Sequence, residues 1–355
     1  MDETTRETKR RKHGCGLGCL AAFLACCLGI AILVAAGIFL VASVGDRDLT
    51  GLLHMRPSAS TEGGVDDCPR MREVWSMGDS ESGIKVARIL IRGAIMPGDS
   101  PWSGEGDGSA ATALRAIRRA TQDADVQAIL MEIDSPGGGI TISDQIYHAL
   151  NGFREAVEGR VIVALMGDVC ASGGYYVALA ADRIVAHPTT LTGSIGVLMS
   201  SVNVRELAER IGVKDVTIKS GDNKDLLNPF RDLTPEQSAM LQQVIDALHG
   251  RFVGLVAQHR KLSEEQVRKW ADGRVFLAEA ARQAGLIDVI GYQETAMEQV
   301  NELLETEEAL HYIRYEEEPS WMELFRRPRL FGAAELRKLL LGGDARLLYQ
   351  WRLQP

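Results

Sequence analysis

Two apolar, strand-like segments, Ala128 to Ile133 and Arg160 to Met166, each run into a glycine-rich turn and then into a helical pattern. A strand that repeatedly returns through a helix lies parallel to its predecessor, so this alternation predicts a largely parallel sheet covered by helices on both faces. The expected order is a strand over Lys85 to Ile91, a helix over Ala110 to Thr121, the strand Ala128 to Ile133, a helix over Thr141 to Val157, and the strand Arg160 to Met166. A site in such a fold is expected where the strands end, at their carboxyl edge.

The two turns carry chemistry. Asp134-Ser135-Pro136-Gly137-Gly138-Gly139 follows the first strand and can turn backbone N–H groups toward a developing oxyanion. It has neither the lysine of a P-loop nor the spacing of a dinucleotide fingerprint. Cys170-Ala171-Ser172-Gly173-Gly174-Tyr175-Tyr176 follows the second strand and sets a hydroxyl at a strand-to-helix turn, with two glycines that leave an acyl group room to approach. A plain glycine turn explains either one alone.

A serine nucleophile needs a base. None of the seven histidines sits in a turn resembling a triad partner. The polar loop Lys219-Ser220-Gly221-Asp222-Asn223-Lys224-Asp225, after a strand-like Asp215 to Ile218, offers lysine instead, with Lys224 preferred. Lysine accepts a proton only when neutral, which burial favours. Asp225 beside it would hold the proton on, unless an extended backbone points the two side chains apart.

Taken in order, the motifs at 134–139, 167–176, 191–197 (L-T-G-S-I-G-V), 218–225 and 272–276 (D-G-R-V-F) resemble the signal peptide peptidase A family, peptidase family S49, in its short single-unit bacterial form. The resemblance covers most of Lys85 to Gly291. It implies a Clp protease/crotonase-like α/β fold and a Ser-Lys dyad, with Ser172 as nucleophile and Lys224, not its rival Lys219, as base. It further implies oxyanion donors at Gly138 and Gly173, and a Ser194 that orients the lysine. No metal or cofactor is implied. Remnant signal peptides as substrates, and a homo-oligomeric ring or dome, an octamer among the options, whose sites join Ser172 and Lys224 of neighbouring subunits, also follow from the resemblance. Two other readings stand beside the peptidase: a catalytically silent membrane scaffold of the same fold, and a crotonase-like acyl-CoA enzyme.

From His13 through Gly45 the chain has no Asp, Glu, Lys or Arg. About 20 apolar residues cross a bilayer, so an uncleaved transmembrane helix is expected over 17–44, contacting membrane lipid. Lys9-Arg10-Arg11-Lys12 precedes it and puts residues 1–16 in the cytoplasm and the rest outside the cell membrane. Residues 45–83 then read as a linker, 84–293 as the protease domain, and 294–355 as a C-terminal extension without an assigned role. The net charge of −9 gives no footing for nucleic-acid binding. Cys170, near the turn serine, reads as a small buried support rather than a nucleophile, and with Cys68 it makes no disulfide framework.

Overall fold

The structure, a computed structural model, describes residues 69, 71–97 and 108–317. The expected transmembrane segment, Cys68 and residues 98–107 lie outside the described residues. Among the described residues, no helix is long and apolar enough to cross a membrane.

Nine strands and eight helices are described. In chain order they are β1 (Met71–Gly78), β2 (Lys85–Arg92), α1 (Ala110–Gln122), β3 (Val126–Ser135), α2 (Ile140–Ala156), β4 (Val161–Ala171), α3 (Gly173–Ala178), β5 (Arg183–Ala186) and β6 (Leu191–Gly193). There follow α4 (Arg205–Arg210), α5 (Pro235–Arg260), α6 (Glu264–Arg268), β7 (Val275–Leu277), α7 (Ala278–Gln283), β8 (Val289–Ile290), α8 (Gln293–Leu303) and β9 (His311–Glu317). The sheet order is β1-β9-β2-β3-β4-β5-β8. Strands from β9 through β8 are parallel, and β1 runs antiparallel to β9 at the edge. The expected α/β class and covered parallel sheet are present.

Alternation along the strands decides which residue faces which helices. Ala87, Ile89 and Ile91 with Ile129, Met131 and Ile133 point into one cluster with Ile117, Ile146, Leu150 and Phe153 of the helices. Val86, Ala128, Leu130, Val163 and Leu165 point the other way, onto Ala296 and Val300 of α8. Burying a side chain of this size stabilises by roughly 1.5–3 kcal/mol, so both faces hold the sheet.

Two domain boundaries differ from expectation. Residues 71–78 of the expected linker form β1, and residues beyond 293 supply α8 and β9, which lies between β1 and β2. Neither segment repeats the strand-turn-helix pattern. Strand β9 joins β2 across more than 200 residues of sequence, a pairing that no local pattern announces. The segment Asp215 to Ile218 is not a strand, and the Ile218 side chain is almost wholly exposed. The start of α5 matches its signal, with Pro235 at the first turn and a capping box between Thr234 and Gln237.

Candidate active site

Strand β4 serves two partners. Val163 to Met166 pair with β5, and Val169 to Ala171 pair with β6. Between them sits Gly167, where a Cβ would come within 2.9 Å of the Asp134 Cβ. The register against β3 shifts at this point, with Ile133 opposite Met166 but Ser135 opposite Cys170. The jog carries the end of β4 out to β6 and delivers Ser172 at the carboxyl edge of the sheet.

Ser172 has φ 52° and ψ −120°, a left-handed conformation that a non-glycine residue adopts at a cost of about 1–3 kcal/mol. Its N–H donates to the Gly193 carbonyl at 2.8 Å and its carbonyl accepts from Tyr176 at 2.9 Å. Directly beyond it, α3 is locked into the core, where the buried Tyr175 hydroxyl donates to the Leu286 carbonyl at 2.8 Å. The side chain of Ser172 is left half-buried at the end of a rigid strand.

The 137–139 glycines are drawn against this turn. Ile95 donates to the Gly137 carbonyl at 2.9 Å and accepts from the Gly139 N–H at 2.7 Å. In a parallel bridge of this kind the partner between those two residues turns its own N–H to the opposite side, so the Gly138 N–H faces away from Ile95. A Cβ on Gly173 would lie 3.2 Å from the Gly138 nitrogen and 3.3 Å from the Gly137 Cα. A Cβ on Gly137 would lie 2.6 Å from the Gly173 nitrogen and 2.8 Å from the Ser172 Cβ. The two loops thus meet backbone to backbone, which only glycine permits. Gly173 opens α3, where an N–H has no acceptor within the helix. Two backbone donors beside one hydroxyl are the arrangement that stabilises a tetrahedral oxyanion.

Ser194 belongs to the same place. It follows Gly193, whose carbonyl takes the Ser172 N–H, and it too is left-handed, at φ 50°, with its N–H donating to the Arg274 carbonyl at 2.8 Å. Ser172, Gly138, Gly173 and Ser194 are therefore assembled by pairings of β4 with β3 and β6. Two supporting hydroxyls escaped sequence reading. Ser135, fully buried, accepts from the Gly137 N–H at 3.1 Å, and Ser143, 2% exposed, donates to the Gly139 carbonyl at 2.9 Å. Ser135 lies inside the glycine motif and was open to notice; Ser143 looks like any helix serine. Cys170 is buried, and burial pushes its thiol pKa up, as suits a packing residue.

Lys224 has no bond to this group among the described residues. It is exposed, in a run of turns over Asp222 to Leu227, and its ammonium has no hydrogen bond or ion pair among the described residues. No bond among these residues joins its loop to Ser172 or Ser194. Lys219 is tied down, donating to Asp225 at 2.7 Å and to the Asp222 carbonyl at 3.0 Å. That hydrogen bond from Lys219, with the charges of Lys219 and Arg231, holds the Asp225 carboxyl below its ordinary pKa. Asp225 is thus occupied by partners other than Lys224, and the backbone there runs through turns rather than an extended strand. Among the described residues His259 bonds to the Tyr147 hydroxyl at 2.7 Å, and no histidine bonds to Ser172. No cluster of three His, Cys, Asp or Glu there could hold a metal.

Residues 155–307 match the family model for peptidase family S49. The Synechocystis sp. protein named "Putative protease slr0021" is 39% identical over 60% of this chain and 72% of its own length. Protease 4 of Salmonella typhi is 35% identical over 69% of this chain, which spans only 38% of that longer relative. Serine protease SPPA of the Arabidopsis thaliana chloroplast is 33% identical over 61% of this chain and 32% of its own. Among solved structures, a mutant of ClpP1 from Listeria monocytogenes overlaps 59% of this chain and 94% of its own at TM-score 0.39 and 16% identity. With 72% of the Synechocystis relative covered at 39% identity, and with the family model matching residues 155–307, which hold Ser172, Ser194 and Lys224, the chain belongs to peptidase family S49.

Proposed function

We propose that the chain is a membrane-anchored serine endopeptidase of the Clp protease/crotonase-like fold. Ser172 attacks a peptide carbonyl, Lys224 takes the hydroxyl proton and returns it to the leaving amine, and the Gly138 and Gly173 N–H groups hold the oxyanion. Water then releases the acyl group by the same route. Ser194 orients the lysine. The observation that carries this reading is the strained, half-buried Ser172 set against backbone donors with no acceptor among the described residues.

Lys224 is exposed, with no bond among the described residues from its loop to Ser172, and the base at each site comes from a neighbouring subunit in a ring or dome. Support for the neighbour lies in the segment around Lys224, where Leu198, Val202, Val216 and Ile218 expose apolar side chains. Such side chains stay in water only at a cost and are covered by assembly. The substrates are peptides lodged in or beside the membrane, such as remnant signal peptides, reached from the extracytoplasmic side by a domain tethered at 17–44. External protease on spheroplasts should therefore trim the chain beyond Val44 and spare Met1 to Lys12.

A serine-directed fluorophosphonate tests the chemistry. The expected result is a single modified residue, Ser172, in the assembled protein. Labelling at another serine, or none at Ser172, would leave the chain a scaffold with a peptidase's fold.

A further inference from the structure

At the amino ends of the strands, opposite Ser172, a cavity of about 290 Å³ opens between α8 and the turn into β9, lined by Gly78, Met297, Leu310 and Tyr312 with Glu294 and Glu298. Its walls are apolar and its edge is acidic. Glu294 and Glu298 stand one helical turn apart on α8, both exposed, and Glu302, Glu305, Glu307 and Glu308 follow. No Lys or Arg occurs between Arg282 and Arg314, and none of these six carboxylates has an ion pair among the described residues. An apolar slot with uncompensated negative charge around it suits a segment that is both basic and apolar.

We propose that this cavity receives the chain's own segment Phe325-Arg326-Arg327-Pro328-Arg329-Leu330-Phe331. Three arginines lie between bulky apolar ends, in a tail, 318–355, that has seven Lys and Arg against four Asp and Glu in a chain of net charge −9. The tail leaves β9 at Glu317, beside Met71 and six residues along the strand from the cavity end at His311. Strand rise is roughly 3.3 Å per residue, so residues 318–324, extended, span the same length back and bring Phe325 to the cavity. Phe325, Leu330 and Phe331 supply the apolar surface, and the arginines meet Glu294 and Glu298. Docking there leaves the carboxyl edge of the sheet, where Ser172 lies, uncovered, so the inference stands apart from the catalytic reading.

The test places a benzophenone photocrosslinker at Phe331 in the full-length chain. Irradiation should link it to residues 294–312 of the same chain, with copies distinguished by mixing isotope-labelled and unlabelled protein. Glu294→Lys with Glu298→Lys, both exposed positions that leave the fold intact, should lower the yield about tenfold, and Arg326→Glu with Arg327→Glu added should recover much of it. Crosslinks to lipid, to another copy or to another part of the chain would overturn the proposal. So would a yield indifferent to the charge reversal.

Discussion

Around Ser172 the turn rests on buried Cys170, Tyr175 and Ser143, whereas from Leu198 to Leu233 apolar side chains stand in water, Ile218 at 97% exposure and Val216 at 85%. The first region is held by strand pairing and by glycines pressed backbone to backbone; the second by a polar knot of Lys219, Asp225, Arg231 and Asp215. The contrast teaches that strain needs surroundings that over-determine it. A serine at φ 52° persists because the strand pairing before it and the buried helix after it leave it no alternative. A lysine on a largely exposed loop has no such enclosure among the described residues, and on the proposed mechanism it gains one from a neighbour.

The largest expected effect breaks or sharpens that contrast directly. Ser172→Ala and Lys224→Ala should each reduce peptide hydrolysis on the order of 10⁴-fold or more, since members of a catalytic unit fail together. Mixed one to one, the two inactive proteins should recover about a quarter of the wild-type rate if each site takes its serine and lysine from different subunits of a closed ring. A mixture as dead as its parents would place both groups in one chain. Lys219→Ala should keep substantial activity.

Gly138→Ala comes next. Its Cβ would overlap the Ile95 carbonyl oxygen, so the loop must move and take the proposed oxyanion donor with it. A kcat lower by roughly 10²–10³ with little change in KM is expected from steady-state kinetics. An unaffected kcat would remove Gly138 from the site.

A third change probes how the end of α5 is moored to the sheet. Arg260, at the end of α5, donates to both oxygens of Asp288 at 2.7 and 3.0 Å and to the Gly285 carbonyl at 2.8 Å. Burial works to raise the Asp288 pKa, but hydrogen bonds from Arg260 and the Ile184 N–H outweigh it and hold it below the ordinary value. A depressed carboxyl stabilises the fold above its unfolded pKa, near ~3.9, and that contribution fades as pH falls through the lower folded value. Asp288→Asn should cost roughly 3 kcal/mol in denaturant unfolding at neutral pH. The gap from wild type should narrow in acid, and a constant gap would show that the charge is not what matters.

The smallest effect separates the two regions most cleanly. Ile218→Ser should shift the stability of the isolated subunit by no more than about 0.5 kcal/mol, because its side chain is already in water. Sedimentation of the same variant should show weakened assembly. Ile129→Ala, fully buried, should cost about 2–5 kcal/mol. Comparable losses at the two positions would mean that Ile218 is packed in a single chain.

Strand Val126–Ser135, helix Ile140–Ala156 and the capped start of α5 were legible because each is written in consecutive residues: alternation, turn glycines, a capping box. The glycine motif and the S-G-G turn were legible for the same reason, since a backbone that must approach another backbone closely excludes every side chain. Ser143 and Ile95 were not, because nothing near them in sequence says what they will touch. Neither was β9, whose place beside β2 depends on a closure spanning most of the chain and on the second sheet face needing cover from α8. Local patterns therefore determined the elements and the two glycine-bearing turns. Only the tertiary structure decided that 137–139 and 172–173 meet and that Ser194 joins them, because such meetings are set by register and packing between segments far apart in the chain.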